Sequence, residues 1–118
     1  MKPKPPLERD VQRRVVAVYR TVGCIVWSLS QGYRPGGPRH ATTRQSKGLP
    51  DLYVMCPVRD GIRRLVFWHE VKRPGGKQTP EQMHFQIACE LRGIGYVLGG
   101  MPEAVEALAD MGFGVLKP

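Results

Sequence analysis

Three residues of this chain have types and spacing suited to chemistry: Asp51 in Gly48-Leu49-Pro50-Asp51, and Glu70 with Lys72 in Glu70-Val71-Lys72. Each sits at the end of a β-type apolar run, Asp51 to Val58 and Arg63 to Lys72. Between the runs lies Arg59-Asp60-Gly61-Ile62, whose Asp-Gly step is a strong two-residue hairpin signal. A hairpin turning there sets opposite each other the residues whose numbers sum to 121, and Asp51 and Glu70 are such a pair. Cross-strand partners share a face at roughly 4.5–5.5 Å between Cβ atoms, and the two-residue strand period puts Lys72 on that face too. The same register adds Tyr53 with Trp68 and Met55 with Val66 to that face, and puts Val54 with Phe67 and Cys56 with Leu65 on the other. Both faces are mainly apolar, so the two strands belong in the middle of a covered sheet with Asp51, Glu70 and Lys72 at its rim. A one-residue slip at the turn would send one strand's side chains to the opposite face.

Two carboxylates directly opposed destabilise a sheet unless something compensates, and the compensators available are Lys72 and a bound cation. A carboxylate pair is a hard-cation site, and Mg²⁺ is commonly held by one or two carboxylates together with water and phosphate oxygens. The plainer alternative is a structural Lys-Glu pair. A third acid, Glu8, extends a helical stripe of Val11, Val15 and Val18 backwards by three residues, which turns it inward toward a partner. Its plainer role is to complement the helix dipole, worth only about 0.3–1 kcal/mol.

The elements that must position these groups follow from the patterning. Leu7 to Thr21 has helical spacing, with Val11, Val15, Val18 and Val22 on one side and Arg9, Arg13, Arg14 and Arg20 elsewhere around the axis. Gly23 ends the helix, and Cys24 to Leu29 reads as a buried strand. Gln31 to Gly48 is a long basic loop rich in Gly and Pro, and because it runs into the suspected site it reads as a substrate-contacting flap. After the hairpin, Thr79-Pro80-Glu81-Gln82 places a capping Thr, a first-turn Pro and a Gln three residues beyond the cap, opening a helix that Gly93 closes. Ile94 to Leu98 is a fourth strand, and Pro102 to Met111 a last helix with Val105, Leu108 and Met111 inward. The order is α-β-β-β-α-β-α, an α/β chain.

A length of 118 residues suits one compact domain, expected over residues 7–118 behind a frayed Lys- and Pro-rich start at 1–6. No apolar run is long enough for a membrane span or a secretory signal, so a soluble, cytoplasmic protein without a membrane partner is expected. The three widely spaced cysteines, Cys24, Cys56 and Cys89, read as buried free thiols, with neither a disulfide framework nor a zinc cluster. Eighteen Lys and Arg against 10 Asp and Glu give a net charge of +8, a balance suited to a polyanion such as nucleic acid. His40, His69 and His84 lack metal-ligand spacing, and His69, on the face opposite Glu70, reads as a core histidine.

Pro50-Asp51, Glu70-Val71-Lys72 and Gln82 near the start of the following helix resemble the PD-(D/E)XK nuclease superfamily, and more closely its VRR-NUC branch of virus-type replication and repair nucleases. The resemblance spans nearly the whole chain from Glu8 onward, with Phe85 standing where the family favours Trp. It implies a restriction-endonuclease-like fold, a mixed central sheet flanked by helices, and divalent-metal-dependent hydrolysis of phosphodiester bonds in a phage or bacterial setting. A homodimer acting on branched DNA, in the manner of a Holliday junction resolvase, is implied as well. On this reading Asp51, Glu70, the backbone carbonyl of Val71 and, directly or through water, Glu8 would hold Mg²⁺ or Mn²⁺. Lys72 would orient or help deprotonate the attacking water, and Gln82 would position Lys72 or a phosphate. Arg44, Lys47, Arg73 and Lys77 border the site and are the candidate DNA contacts. The competing readings are a non-catalytic DNA-binding or architectural protein on the same fold, against which the acidic cluster argues, and a structural homodimer joined by the basic loop.

Overall fold

The computed structural model describes residues 4, 6–29, 47–58 and 65–113. Helix α1 (Glu8–Thr21) is followed by strands β1 (Ile25–Ser28), β2 (Leu52–Met55) and β3 (Val66–Val71), helix α2 (Pro80–Leu91), strand β4 (Gly95–Gly99) and helix α3 (Met101–Asp110). The strands form one sheet in the order β1-β2-β3-β4, antiparallel at the first two seams and parallel between β3 and β4. Helix α2 makes the crossover that a parallel pair requires. None of these helices is long and apolar enough to cross a membrane.

The hairpin register is the one derived from Asp-Gly: Leu52 faces His69, Tyr53 faces Trp68, Val54 faces Phe67 and Met55 faces Val66. Residues 59–64, where the Asp-Gly turn was expected, lie outside the described residues, as do residues 31–46 of the basic loop. The β2 and β3 ladders are shorter than the apolar runs, although pairing continues one step further through Cys56 N–H to the Leu65 carbonyl at 2.7 Å. As their patterning requires, β2 and β3 are the two central strands.

On one face, Leu52, Val54, Phe67 and Val71 are buried with Val11, Val15 and Val18 of α1 and with Ala104 and Leu108 of α3. The inward stripe of α3 is therefore centred on Ala104 and Leu108, while Val105 and Met111, expected inward, are only partly buried beside it. Small Ala104 lets α3 approach closely, which apolar periodicity alone does not reveal. On the opposite face Tyr53 packs on Trp68, their ring centroids 4.7 Å apart, and Trp68 meets Phe85 of α2 edge-to-face at 5.3 Å.

Helices α1 and α2 end in the same way. After each C-cap a glycine with positive φ, Gly23 and Gly93, donates its N–H to the carbonyl of Arg20 or Glu90. The next residue, Cys24 or Ile94, donates to Tyr19 or Cys89, completing a Schellman motif that turns the chain into β1 and β4.

The largest fully buried side chain, Tyr19, was not part of the expected valine stripe. Its hydroxyl donates to His69 Nδ1 at 2.6 Å, and His69 Nε2–H donates to the Gly99 carbonyl at 2.9 Å. A carbonyl only accepts, so the Nε2 tautomer follows, and burial lowers the His69 pKa and keeps the ring neutral. His69 is thus a core histidine, as its position opposite Glu70 requires. Tyr19→Phe would leave a buried imidazole nitrogen without a donor and is expected to cost about 1–3 kcal/mol in urea denaturation. A change near zero would show that water replaces the hydroxyl.

Candidate metal centre

Asp51 immediately precedes β2, Glu70 lies near the end of β3, and Glu8 opens α1. Three elements distant in sequence thus deliver three carboxylates to one point, where one oxygen from each lies within 4.8 Å of the others. Each is fixed differently. Asp51 Oδ2 accepts the Val71 N–H at 2.8 Å, so a β3 peptide orients the β2 carboxylate and Val71 is brought to the cluster through its backbone. Glu70 is only 1% exposed, and its Oε2 accepts from Gln82 Nε2 at 3.0 Å with Lys72 Nζ 3.8 Å away. Glu8 reaches the cluster from the exposed first turn of α1.

Gln82 donates to Glu70, a partner beyond the two expected for it, Lys72 and a phosphate. Thr79 Oγ1 accepts the Gln82 N–H at 3.1 Å while Gln82 Oε1 accepts the Thr79 N–H at 2.8 Å, a reciprocal capping box. That bond turns the amide oxygen toward Thr79, and the group directed at the sheet is the NH₂, a donor that suits a carboxylate and cannot serve an ammonium.

Burial pushes the Glu70 pKa up, and the carboxylates of Asp51 and Glu8 push it further, with Lys72 opposing. Glu70 Oε1 is fully buried and has no hydrogen-bond partner among the described residues. Three convergent carboxylates, one with an orphaned buried oxygen, are an all-oxygen donor set that fits a hard divalent cation.

The predicted DNA contacts do not all meet at this point. Lys47 lies 3.9 Å from Glu81 on the surface, Lys77 is exposed, and Arg44 is outside the described residues. Arg73 lines a cleft of about 620 Å³ together with Lys72 and Arg14. On the other side of α1 a larger groove of about 860 Å³ is lined by Arg9, Arg13 and Arg20. Two basic clefts therefore flank the helix that carries Glu8. Arg9, Arg13 and Arg20 were not among the expected DNA contacts, although their position on the helix that starts at Glu8 was a usable signal for a basic groove.

A mixed sheet with helices on both faces, α2 crossing between its parallel strands and an acidic cluster at the rim of its central hairpin, defines a restriction-endonuclease-like architecture. A solved structure described as a VRR_NUC domain shares this fold, with a TM-score of 0.60 and 24% sequence identity over 87% of this chain and 94% of that one. The VRR-NUC fold expected from the motifs is the fold found. No protein-family model matches the chain, and no curated protein does.

Proposed function

We propose that this chain is a divalent-metal-dependent DNA endonuclease of replication or repair. The observation that carries the reading is the convergence of Glu8, Asp51 and Glu70 within 4.8 Å, beside Lys72, with one buried oxygen of Glu70 left unpartnered among the described residues. The likeness to a VRR_NUC domain supports the same reading. Glu8, Asp51, Glu70 and the Val71 carbonyl would hold Mg²⁺ or Mn²⁺. When bound, such an ion supplies Lewis-acid activation of water and neutralises phosphate charge.

The protein's own residues carry the remaining steps. Lys72, largely withdrawn from solvent, orients the attacking water or assists its deprotonation, and stabilises the negative charge that develops on the phosphate. Gln82 holds Glu70 in its rotamer, and the Val71 N–H holds Asp51. The clefts of Arg14 and Arg73 and of Arg9, Arg13 and Arg20 receive the phosphate backbone, with Lys47, Lys77 and Arg44 further out. These contacts give affinity without sequence reading. A homodimer acting on branched DNA, as a Holliday junction resolvase does, belongs to the proposal. Met83, Ile87 and Leu91 form an exposed apolar ridge at every fourth residue of α2, the kind of surface a second copy covers.

Incubation with labelled linear duplex, flap and four-way junction DNA, with Mg²⁺, Mn²⁺ or EDTA, tests the reading. Cleavage that requires the ion and weakens with added salt is the expected result, with paired symmetric nicks on the junction as the product of a dimer. Salt-sensitive binding without cleavage in either ion would leave an architectural DNA-binding protein instead.

A further inference from the structure

Cys24 and Cys56 stand one step beyond Ile25 and Met55, the last paired residues of the β1–β2 ladder, so the register places them directly opposite each other. Both are free thiols, with Cys24 Sγ–H donating to Cys56 Sγ across 2.9 Å. The backbone identifies the kind of cross-strand pair. At the far end of the ladder Leu29 N–H donates to the Asp51 carbonyl at 2.8 Å, which makes 29 with 51 a hydrogen-bonded pair. Alternation along an antiparallel ladder then makes 24 with 56 a non-hydrogen-bonded pair. In agreement, the Cys56 N–H turns the other way, to Leu65 just before β3, and the Cys24 N–H turns back to Tyr19. Side chains approach most closely at such pairs, and their Cα spacing of roughly 4.5 Å lies within the range a disulfide tolerates.

We propose that Cys24 and Cys56 are a paired dithiol that a low-molecular-weight disulfide oxidises to an intrachain disulfide. Cys56 is half-buried and Cys24 buried, so the reagent meets Cys56 first. The Cys56 thiolate attacks one sulfur of the external disulfide, forming a mixed disulfide and expelling one thiolate. The Cys24 thiolate then attacks the Cys56 sulfur, closing the protein disulfide and expelling the second. The two protons lost by the cysteines end on the two released thiols, so one external disulfide is reduced for each protein disulfide formed. The sulfurs need to approach by about 0.9 Å to reach bonding distance. Burial pushes both thiols above their ordinary range, which slows the exchange.

The bridge would close residues 25–55 into a covalent loop containing the basic segment 31–48 and Asp51. It lies at the opposite end of the ladder from the carboxylate cluster, about 17 Å along β2 from Asp51. It is therefore expected to raise stability and leave the acidic site unaltered. Loop closure of this length corresponds to an upward shift of roughly 5 °C or more in the thermal midpoint.

The test is prolonged incubation of the folded wild-type protein with oxidised glutathione, followed by acid quenching, alkylation in denaturant and peptide mass mapping. The expected result is a Cys24–Cys56 linked peptide, with Cys89 alkylated, the link removed by dithiothreitol, and a raised thermal midpoint that Cys56→Ser does not show. Cys89→Ser should retain the link. Recovery of Cys24 and Cys56 as alkylated residues, as glutathione adducts alone, or in intermolecular links would overturn the proposal. None of these outcomes depends on whether the protein cleaves DNA.

Discussion

Replacing Lys72 by alanine is expected to lower the rate of metal-dependent DNA cleavage by about 10²–10⁴-fold, the range associated with loss of a positioned proton-transfer or charge-stabilising group. The Lys72 side chain is only 14% exposed, its Nζ lies 3.8 Å from Glu70 Oε2, and the residue also lines the Arg14–Arg73 cleft. It thus joins the carboxylate cluster to a cleft proposed to receive the phosphate backbone. Because Lys72 supplies no donor oxygen, Mg²⁺ or Mn²⁺ should still raise the thermal midpoint of Lys72→Ala. Binding of DNA in Ca²⁺ or EDTA should fall much less than cleavage, since the arginines around α1 remain. Single-turnover rates beside the ion-induced midpoint shift separate these effects. Normal cleavage by the variant would remove Lys72 from the mechanism. Loss of both cleavage and ion-induced stabilisation would make it a structural neighbour of Glu70 instead. Lys72→Arg is expected to be a poor rescue, because a planar guanidinium does not reproduce the compact point charge of an ammonium.

How far the site could be read from residues alone depended on loop length. The Asp60-Gly61 signal lies close in sequence to both strands, so the register it predicts for β2 against β3 could be derived, and the opposition of Asp51 to Glu70 with it. The β1–β2 pairing spans a long connection that implies no register, so Cys24 and Cys56 read as unrelated buried thiols rather than as cross-strand neighbours. The Tyr19–His69–Gly99 chain was hidden for a similar reason. It joins α1, β3 and the end of β4, and periodicity indicates which face a residue occupies but not which residue of another element it meets. The partner of Gln82 was legible in principle. Once Thr79-Pro80-Glu81-Gln82 was read as a capping box, the amide oxygen was turned toward the Thr79 N–H, which leaves the NH₂ as the end that reaches Glu70.

Glu70→Gln is expected to stabilise the metal-free protein at neutral pH while abolishing its response to divalent ions. The folded state raises the Glu70 pKa through burial and the neighbouring carboxylates, so it holds the carboxyl proton more tightly than the unfolded chain does. The stability linked to that proton is fully present below the ordinary glutamate pKa. It is lost as pH rises from there through the raised folded-state value. Glutamine is neutral throughout, so the variant and the wild type should have similar stability near pH 4 in EDTA and diverge as pH rises, by on the order of 1–3 kcal/mol at neutral pH. Glutamine can also supply an amide NH₂ as a donor within the carboxylate cluster while its oxygen accepts from Gln82. Adding Mg²⁺ or Mn²⁺ should reverse the order: the wild type gains stability by mass action as the ion binds, and Glu70→Gln, with one carboxylate removed, gains little. Urea titrations from pH 4 to pH 8, with EDTA and with each ion, measure both effects. A variant less stable than wild type in EDTA at neutral pH would mean that the cluster is satisfied without an ion and that Glu70 serves the fold. The expected crossover would instead identify Glu70 as a residue held at a cost to the fold that ion binding offsets.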